Sequence, residues 1–289
     1  MQSKILLQKI KQEFPKLKWE DYELVTTGWD FDVVILDKKT VFRFPKEKDS
    51  VNDLKKEITL LKYLNSRLSV NIPNYCYVAS DTTFAGYNYL DGKELTISRY
   101  KELDLHQKEL LRKKTADFLS SLHNTPIAIL KKYKTRVGKP EKFLEWLIRD
   151  TEKYVFPKLN KKEIKYINEH FGALRNSLND KYSPVLVHGD LTEGHILWDN
   201  KTKKLSVIDF SDHHIGDPAV DFSALLEFGE KFVDNVYNLY LGPKDENLLY
   251  RARLNYKTLP LTVMKGALCG SPVGFEEAYI MFKKRFNVR

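Results

Sequence analysis

Residues 187–199 read Val187-His188-Gly189-Asp190-Leu191-Thr192-Glu193-Gly194-His195-Ile196-Leu197-Trp198-Asp199, and a short way on stands Val207-Ile208-Asp209-Phe210. The apolar run 185–187 passes straight into His-Gly-Asp. Hydrophobic segments ordinarily hand over to turn residues that meet solvent, so polar side chains delivered at a strand end are candidates for chemistry. If 196–198 and 205–210 pair as a hairpin around the turn 199–204, residues whose numbers sum to about 404 face each other and His195 lies beside Asp209. Asp190 reaches the same cavity from the same loop. Two carboxylates and an imidazole converging at a loop rim suit divalent-metal and phosphate chemistry, because Mg2+ takes hard ligands, keeps waters and leaves positions for phosphate oxygens.

Working outward, the sequence changes character near Asp91-Gly92, which reads as a hinge. Before it, segments 22–26, 31–36, 40–44, 75–79 and 84–90 are rich in β-branched and aromatic residues, broken by Gly28 and by Asp37-Lys38-Lys39. Among them, Val51, Leu54, Ile58, Leu61 and Leu64 repeat at helical spacing over 50–65. Residues 1–14 read as an amphipathic helix. Beyond the hinge the periodicity is mainly helical, over 107–123, 140–154, 161–171, 219–227, 230–240 and 275–284. We therefore expect an α+β, two-domain chain: a small antiparallel-sheet N-lobe over 1–90 and a larger, mainly helical C-lobe over 91–289.

Composition narrows the classes. The 289 residues suffice for a sizeable core. No apolar run is long enough to span a bilayer, and two distant cysteines without a CxxC pattern suggest a reduced, cytoplasmic setting. The net charge of +9 is compatible with a nucleic acid, an anionic small molecule or merely a basic surface. A nucleic-acid partner would need clustered basic residues interleaved with stacking aromatics, whereas the lysines here are scattered over helix faces, so none is expected. His188, His195, His213 and His214 fall close together, but no cysteine joins them and their spacing fits no zinc pattern.

His188-Gly189-Asp190, His195 and Ile208-Asp209-Phe210 together resemble the catalytic and metal loops of the kinase-like antibiotic phosphotransferases. Thr40-Val41-Phe42-Arg43-Phe44-Pro45, Glu57, Asn71-Ile72-Pro73 with Gly86-Tyr87, and the run from Ile215-Gly216-Asp217-Pro218 to Phe222 extend the resemblance over about residues 20–230. It is similar first to the aminoglycoside 2″-phosphotransferases and second to the macrolide 2′-phosphotransferases. The resemblance implies a bilobal, protein-kinase-like fold and transfer of the γ-phosphoryl group of GTP or ATP to an antibiotic hydroxyl, conferring resistance. Asp190 would be the catalytic carboxylate, and His195 and Asp209 would hold Mg2+. Arg43, where typical kinases have lysine, would touch phosphates and pair with Glu57. The strand pair around Gly28 would form the nucleotide flap, and Tyr87, with the backbone at Asn88 and Leu90, would meet the base.

A cationic aminoglycoside needs carboxylates around its site, for which the resemblance offers Asp190, Asp212, Glu227 and Glu230. A macrolide, or another small hydroxylated metabolite, is the alternative acceptor, since the catalytic loop specifies the phosphate end and not the acceptor end. A nucleotide-binding pseudokinase is the competing class, and the joint presence of Asp190, His195 and Asp209 speaks against it. We expect a monomer without membrane association. His188 reads as a loop brace, Asp217 and Asp221 as capping and bracing groups, and Trp29 and Trp198 as packing.

Overall fold

In the computed structural model, which describes residues 2–288 apart from Thr27, Trp29 and Pro272, helix α1 (Gln2–Glu13) precedes strands β1 (Tyr22–Val25), β2 (Phe31–Leu36) and β3 (Thr40–Pro45). Helix α2 (Lys48–Leu64) and strands β4 (Tyr75–Val78) and β5 (Ala85–Asn88) follow. Among the described residues the five strands form one antiparallel sheet in the order β1-β2-β3-β5-β4. Trp29 lies outside the described residues.

The alternation of side chains along β3 positions the site. Phe42 and Phe44 pack with Leu6 and Ile10 of α1, Val34, Leu36 and Phe84 on one face of the sheet. Val41 and Arg43 therefore face the other way, as strand geometry requires. There Arg43 pairs in register with Val33 and Ala85, and Val41 with Tyr87. Phe31, Val33 and Ala85 on this second face pack against Leu54 and Ile58 of α2. Strand β3 is buried on both faces, and an arginine within such a strand needs partners.

After Gly92, whose φ of 119° falls in the region that favours glycine, strand β6 (Lys93–Glu94) leads into helices α3 (Ile97–Glu102), α4 (Leu105–His123), α5 (Ile127–Lys132), α6 (Pro140–Asp150) and α7 (Lys161–Ser177). Four short strands come next, β7 (Val185–Val187), β8 (Ile196–Trp198), β9 (Leu205–Val207) and β10 (His214–Gly216). Helices α8 (Ala219–Leu225), α9 (Glu230–Leu239), α10 (Leu248–Leu268) and α11 (Phe275–Phe286) complete the chain. Strand β6 joins β8 and β9, while β10 pairs antiparallel with β7. The main core gathers Phe118, Leu186, Ile196, Trp198, Phe210, Phe222 and Tyr240, and it reaches back to Leu61 and Leu64 of α2.

The reading of 140–154 as one α-helix is corrected in its last turn: after Asp150 the chain widens into a π-turn over Thr151–Val155. Helix α10 carries Pro260 inside it. Proline has no N–H to donate to the carbonyl four residues back, and that carbonyl, of Tyr256, instead accepts from Arg285 Nη1 at 2.6 Å. The defect in α10 thereby becomes the anchor for α11.

Candidate active site

Strand β7 delivers His188-Gly189-Asp190 to a loop in which three successive backbone N–H groups are held by side chains. Gly189 has φ 89°, and a Cβ there would collide with the Asp212 carbonyl. The N–H groups of His188 and Gly189 donate to Asp221 Oδ2 and Oδ1, each at 2.9 Å. His188 Nε2–H donates to the Ile208 carbonyl at 3.0 Å, and its Nδ1 accepts from the Asp190 N–H at 3.3 Å. Burial lowers the His188 pKa, so the ring stays neutral and acts as a brace between the two loops. Asp221 is itself fully buried. Burial alone would raise its pKa, but His123, His188 and the loop N–H groups outweigh that and hold it ionised.

The hairpin register differs by one residue from that expected. Ile196 pairs with Val207 and Trp198 with Leu205, so His195 stands opposite Ile208, whose N–H donates to the His195 carbonyl at 3.0 Å. A one-residue shift ordinarily sends a side chain to the opposite face. Here the strand ends at Val207 and Asp209 adopts φ 61°, a left-handed conformation that aspartate tolerates better than most residues. The turn brings its carboxylate back, with Asp209 Oδ2 3.7 Å from His195 Nε2.

His195 Nδ1 lies 2.7 Å from the Asp190 carbonyl and 3.3 Å from Asp190 Oδ2. A carbonyl only accepts, so Nδ1 carries the proton, and in the neutral ring the Nε2 lone pair points towards Asp209. No group of three or more histidine, cysteine, aspartate or glutamate side chains that could hold a metal ion is gathered among the described residues, and a carboxylate with one imidazole is a donor pair that a divalent ion would fit only if phosphates and water completed its shell. Burial pushes the Asp209 carboxyl up, but Arg43, His195 and the Ser211 hydroxyl, the last 2.6 Å from Oδ1, hold it well below its ordinary range. Asp190 is shifted the other way. Burial, Asp212 and Asp209 raise its pKa against the opposing pull of His195, which makes it the more basic of the two carboxylates.

Arg43 reaches this group from the sheet. Its Nη1 donates to Glu57 Oε1 at 2.8 Å and Oε2 at 3.0 Å and to Tyr75 Oη at 3.1 Å. Its Nη2 donates to Asp209 Oδ1 at 2.8 Å, and the guanidinium lies 3.9 Å from the centre of the Phe31 ring. Tyr87 is buried on the same sheet face, edge-on to Tyr75. Burial raises its hydroxyl pKa above the ordinary value. Asn88 is exposed at the end of β5 and Leu90 is half-buried just before Gly92. Gly28 is exposed, and its carbonyl accepts from Lys46 Nζ at 2.6 Å. Asp30, in the same turn, has a raised pKa from burial and from the charges of Asp212 and Asp209. Asp30, part of the expected flap around Gly28, therefore shares the electrostatic field of Asp209 and Asp212.

Three of the four acidic residues expected for the acceptor, all but Asp190, are tied to a lysine or arginine. Glu227 is held by Arg285 and lies 3.5 Å from Lys284 Nζ. Glu230 accepts from Arg253 at 2.7–3.1 Å. Asp212 lies 3.3 Å from Arg136. Asp217 caps α8, accepting from the Ala219 N–H at 3.0 Å, and pairs with the buried Arg251 at 2.6 Å.

The sequence model of the phosphotransferase enzyme family matches residues 21–247. Over 98% of both chains the structure resembles the GDP complex of wild-type aminoglycoside 2'-phosphotransferase-IIIa, with a TM-score of 0.88 and 25% identity. A GDP and kanamycin complex of APH(2")-IIIa aligns with the same TM-score, 26% identity and 97% and 98% coverage. Macrolide 2'-phosphotransferase type I aligns at a TM-score of 0.70 and 21% identity over 98% and 96% of the chains, a likeness of fold. The uncharacterized protein YcbJ of Bacillus subtilis (strain 168) is 26% identical, covering 76% of this chain and 75% of its own. The fold is thus kinase-like, as the sequence implied.

Proposed function

The chain belongs to the phosphotransferase enzyme family and acts on hydroxyl groups, and from that premise we propose that it transfers the γ-phosphoryl group of GTP or ATP to a hydroxyl of an aminoglycoside, at the 2″ position, and so confers resistance. The observation that carries the reading is the convergence of Asp190, His195 and Asp209, with Asp209 also bonded to Arg43. Asp190, with its raised pKa, accepts the proton of the acceptor hydroxyl. The hydroxyl oxygen then bonds the γ-phosphorus in line as the bond to the β-phosphate oxygen breaks. Asp209 and His195 would hold Mg2+, which when bound supplies the charge that neutralises the phosphate oxygens. Gly28, Tyr87, Asn88 and Leu90 bound the nucleotide, and Arg43 with Glu57 sets the phosphate end. The division at residue 90 between a nucleotide-holding part and a catalytic part belongs to the same proposal.

A second reading rests on a specific observation. Glu227, Glu230 and Asp212 each already carry a basic partner, and an acceptor site with its carboxylates neutralised suits a less cationic molecule, a macrolide or another hydroxylated metabolite. A coupled assay for GDP and ADP release with kanamycin-type, gentamicin-type and macrolide compounds tests both. Turnover confined to macrolides would overturn the aminoglycoside assignment. Nucleotide binding without turnover on any acceptor would overturn both.

A further inference from the structure

We propose that His123 and Tyr240 are positioning residues for phosphoryl transfer, acting on Asp190 through Asp221. The proposal rests on the phosphotransferase reading, and neither His123 nor Tyr240 contacts Asp190, His195 or Asp209.

His123 is the last residue of α4, and Tyr240 immediately follows α9. His123 Nε2 lies 3.0 Å from Asp221 Oδ2 and its Nδ1 lies 2.7 Å from Tyr240 Oη. The side chains of His123 and Asp221 are entirely buried, as is Tyr240. The carboxylate only accepts, so Nε2 carries a proton, and in the neutral ring the Tyr240 hydroxyl donates to Nδ1. Burial raises the Tyr240 pKa above its ordinary value, which keeps that hydroxyl protonated as the donor the arrangement needs.

Asp221 Oδ2 thus receives two hydrogen bonds, from the His188 N–H and from His123, while Oδ1 receives the Gly189 N–H. A carboxylate held on the loop side alone can still rock about its Cβ–Cγ bond. The third bond comes from His123, at the end of another helix, and adds a restraint on the carboxylate that does not depend on the loop. The carboxylate plane sets the peptide groups of His188 and Gly189, and Gly189 is the left-handed residue immediately before the catalytic carboxylate. The far end is also anchored: Tyr240 packs edge-on to Phe222 of α8 at 5.2 Å, and the neighbouring Leu241 N–H donates to Ser120 Oγ of α4 at 2.9 Å. Residues from α4 and from the end of α9 are thus linked in series to one carboxylate of α8. Small displacements of a catalytic group weigh heavily on rate and little on binding.

The test compares His123→Leu, His123→Gln and Tyr240→Phe with the parent protein, using nucleotide turnover with and without acceptor. His123→Leu removes the donor, and kcat per folded molecule is expected to fall about tenfold with the nucleotide KM unchanged. His123→Gln keeps an N–H and is expected to recover most of the loss. Tyr240→Phe, which keeps the ring, guards against a His123→Leu protein that does not fold, and is expected to show about threefold loss. In an Asp190→Asn background the effect of Tyr240→Phe on turnover is expected to vanish, because no base remains to be positioned. Amide exchange at His188 and Gly189 is read independently of turnover and is expected to quicken in the variants. Unchanged kcat with unchanged exchange at those two amides overturns the proposal, as does the same fractional loss in the Asp190→Asn background. Parent protein inert toward every nucleotide and acceptor would instead count against the functional reading, and the exchange result would still decide the network.

Discussion

Arg43 Nη2 lies 2.8 Å from Asp209 Oδ1, so the strand that carries the sheet face of the cleft is joined directly to the loop that carries its most acidic carboxylate. The same guanidinium grips Glu57, whose side chain has no solvent exposure. Replacing Arg43 by alanine leaves that carboxylate buried without a counter-charge, and loss of about 3–5 kcal/mol of stability is expected. The pH dependence has a definite sign. Burial already raises the Glu57 pKa, with Arg43 opposing it. Without Arg43 the value climbs further, and the variant loses stability as pH rises through it. Chemical unfolding at about pH 6 and about pH 8 checks this, and an Arg43→Ala protein equally stable at both would count against it.

Asp190→Asn is expected to trade stability against activity. General-base catalysis contributes about 10²–10⁴-fold, so kcat should fall by that order. The raised Asp190 pKa means that its ionised form is disfavoured in the folded state, a penalty that is absent below the ordinary carboxylate pKa and grows as pH rises. An uncharged asparagine removes the penalty, so the variant should melt higher than the parent at neutral pH. Asp212→Asn removes one of the charges that raise Asp190, and the acid limb of kcat/KM should move to lower pH. A limb that moves upward would exclude Asp190 as the group titrating there.

How far the sequence was legible depended on separation along the chain. Asp190 and His195 share one short loop, and Glu57 sits 14 residues after Arg43 in the helix that directly follows its strand, so order and periodicity sufficed to bring them together. The hairpin register was misjudged by one residue because the left-handed turn at Asp209 has no local sequence signal, and its carboxylate reached His195 through that turn rather than through strand alternation. The segment 205–210 reads as one strand by composition, yet the ladder ends at Val207. His123, which meets Asp221, and Tyr240, which meets His123, showed nothing in sequence, since a helix-terminal histidine and a tyrosine after a helix are common and their contact spans most of the C-terminal half. Glu227 and Glu230 were visible as residues, but their arginine partners on α11 and α10 were not.

Lys46 replaces a multiple-glycine flap by a tether. Its Nζ donates to the carbonyls of Thr26 and Gly28 at 2.8 and 2.6 Å, and its own N–H donates to the Asp30 carbonyl at 2.9 Å. The β1–β2 connection holds a single glycine, and this ammonium bridges two of its carbonyls. If, as proposed, this connection borders the nucleotide and Asp190 carries the chemistry, Lys46→Met should raise the nucleotide KM by about three- to tenfold with little change in kcat. A fall in kcat at unchanged KM would assign Lys46 to the transferring phosphate instead.

The acceptor end yields to one substitution. Arg285 holds Glu227 but also fills the carbonyl freed by Pro260, so removing it would disturb α10 and α11 along with any acceptor contact. Arg253 is a cleaner probe: it is partly exposed and bonds Glu230 through both carboxylate oxygens. Exposed pairs of this kind contribute roughly 0–1 kcal/mol to stability, so Arg253→Ala should fold as the parent does. If a polycationic acceptor meets Glu230, freeing that carboxylate lowers the KM for kanamycin-type compounds by about threefold at low salt, and the gain fades as ionic strength rises. An acceptor without positive charge near Glu230 gains nothing. Kinetics of Arg253→Ala against one kanamycin-type compound and one macrolide, each at two salt concentrations, therefore reads the charge of the natural acceptor: a salt-sensitive gain confined to the aminoglycoside supports the 2″ assignment, and unchanged KM for it beside measurable macrolide turnover moves the assignment to the macrolide.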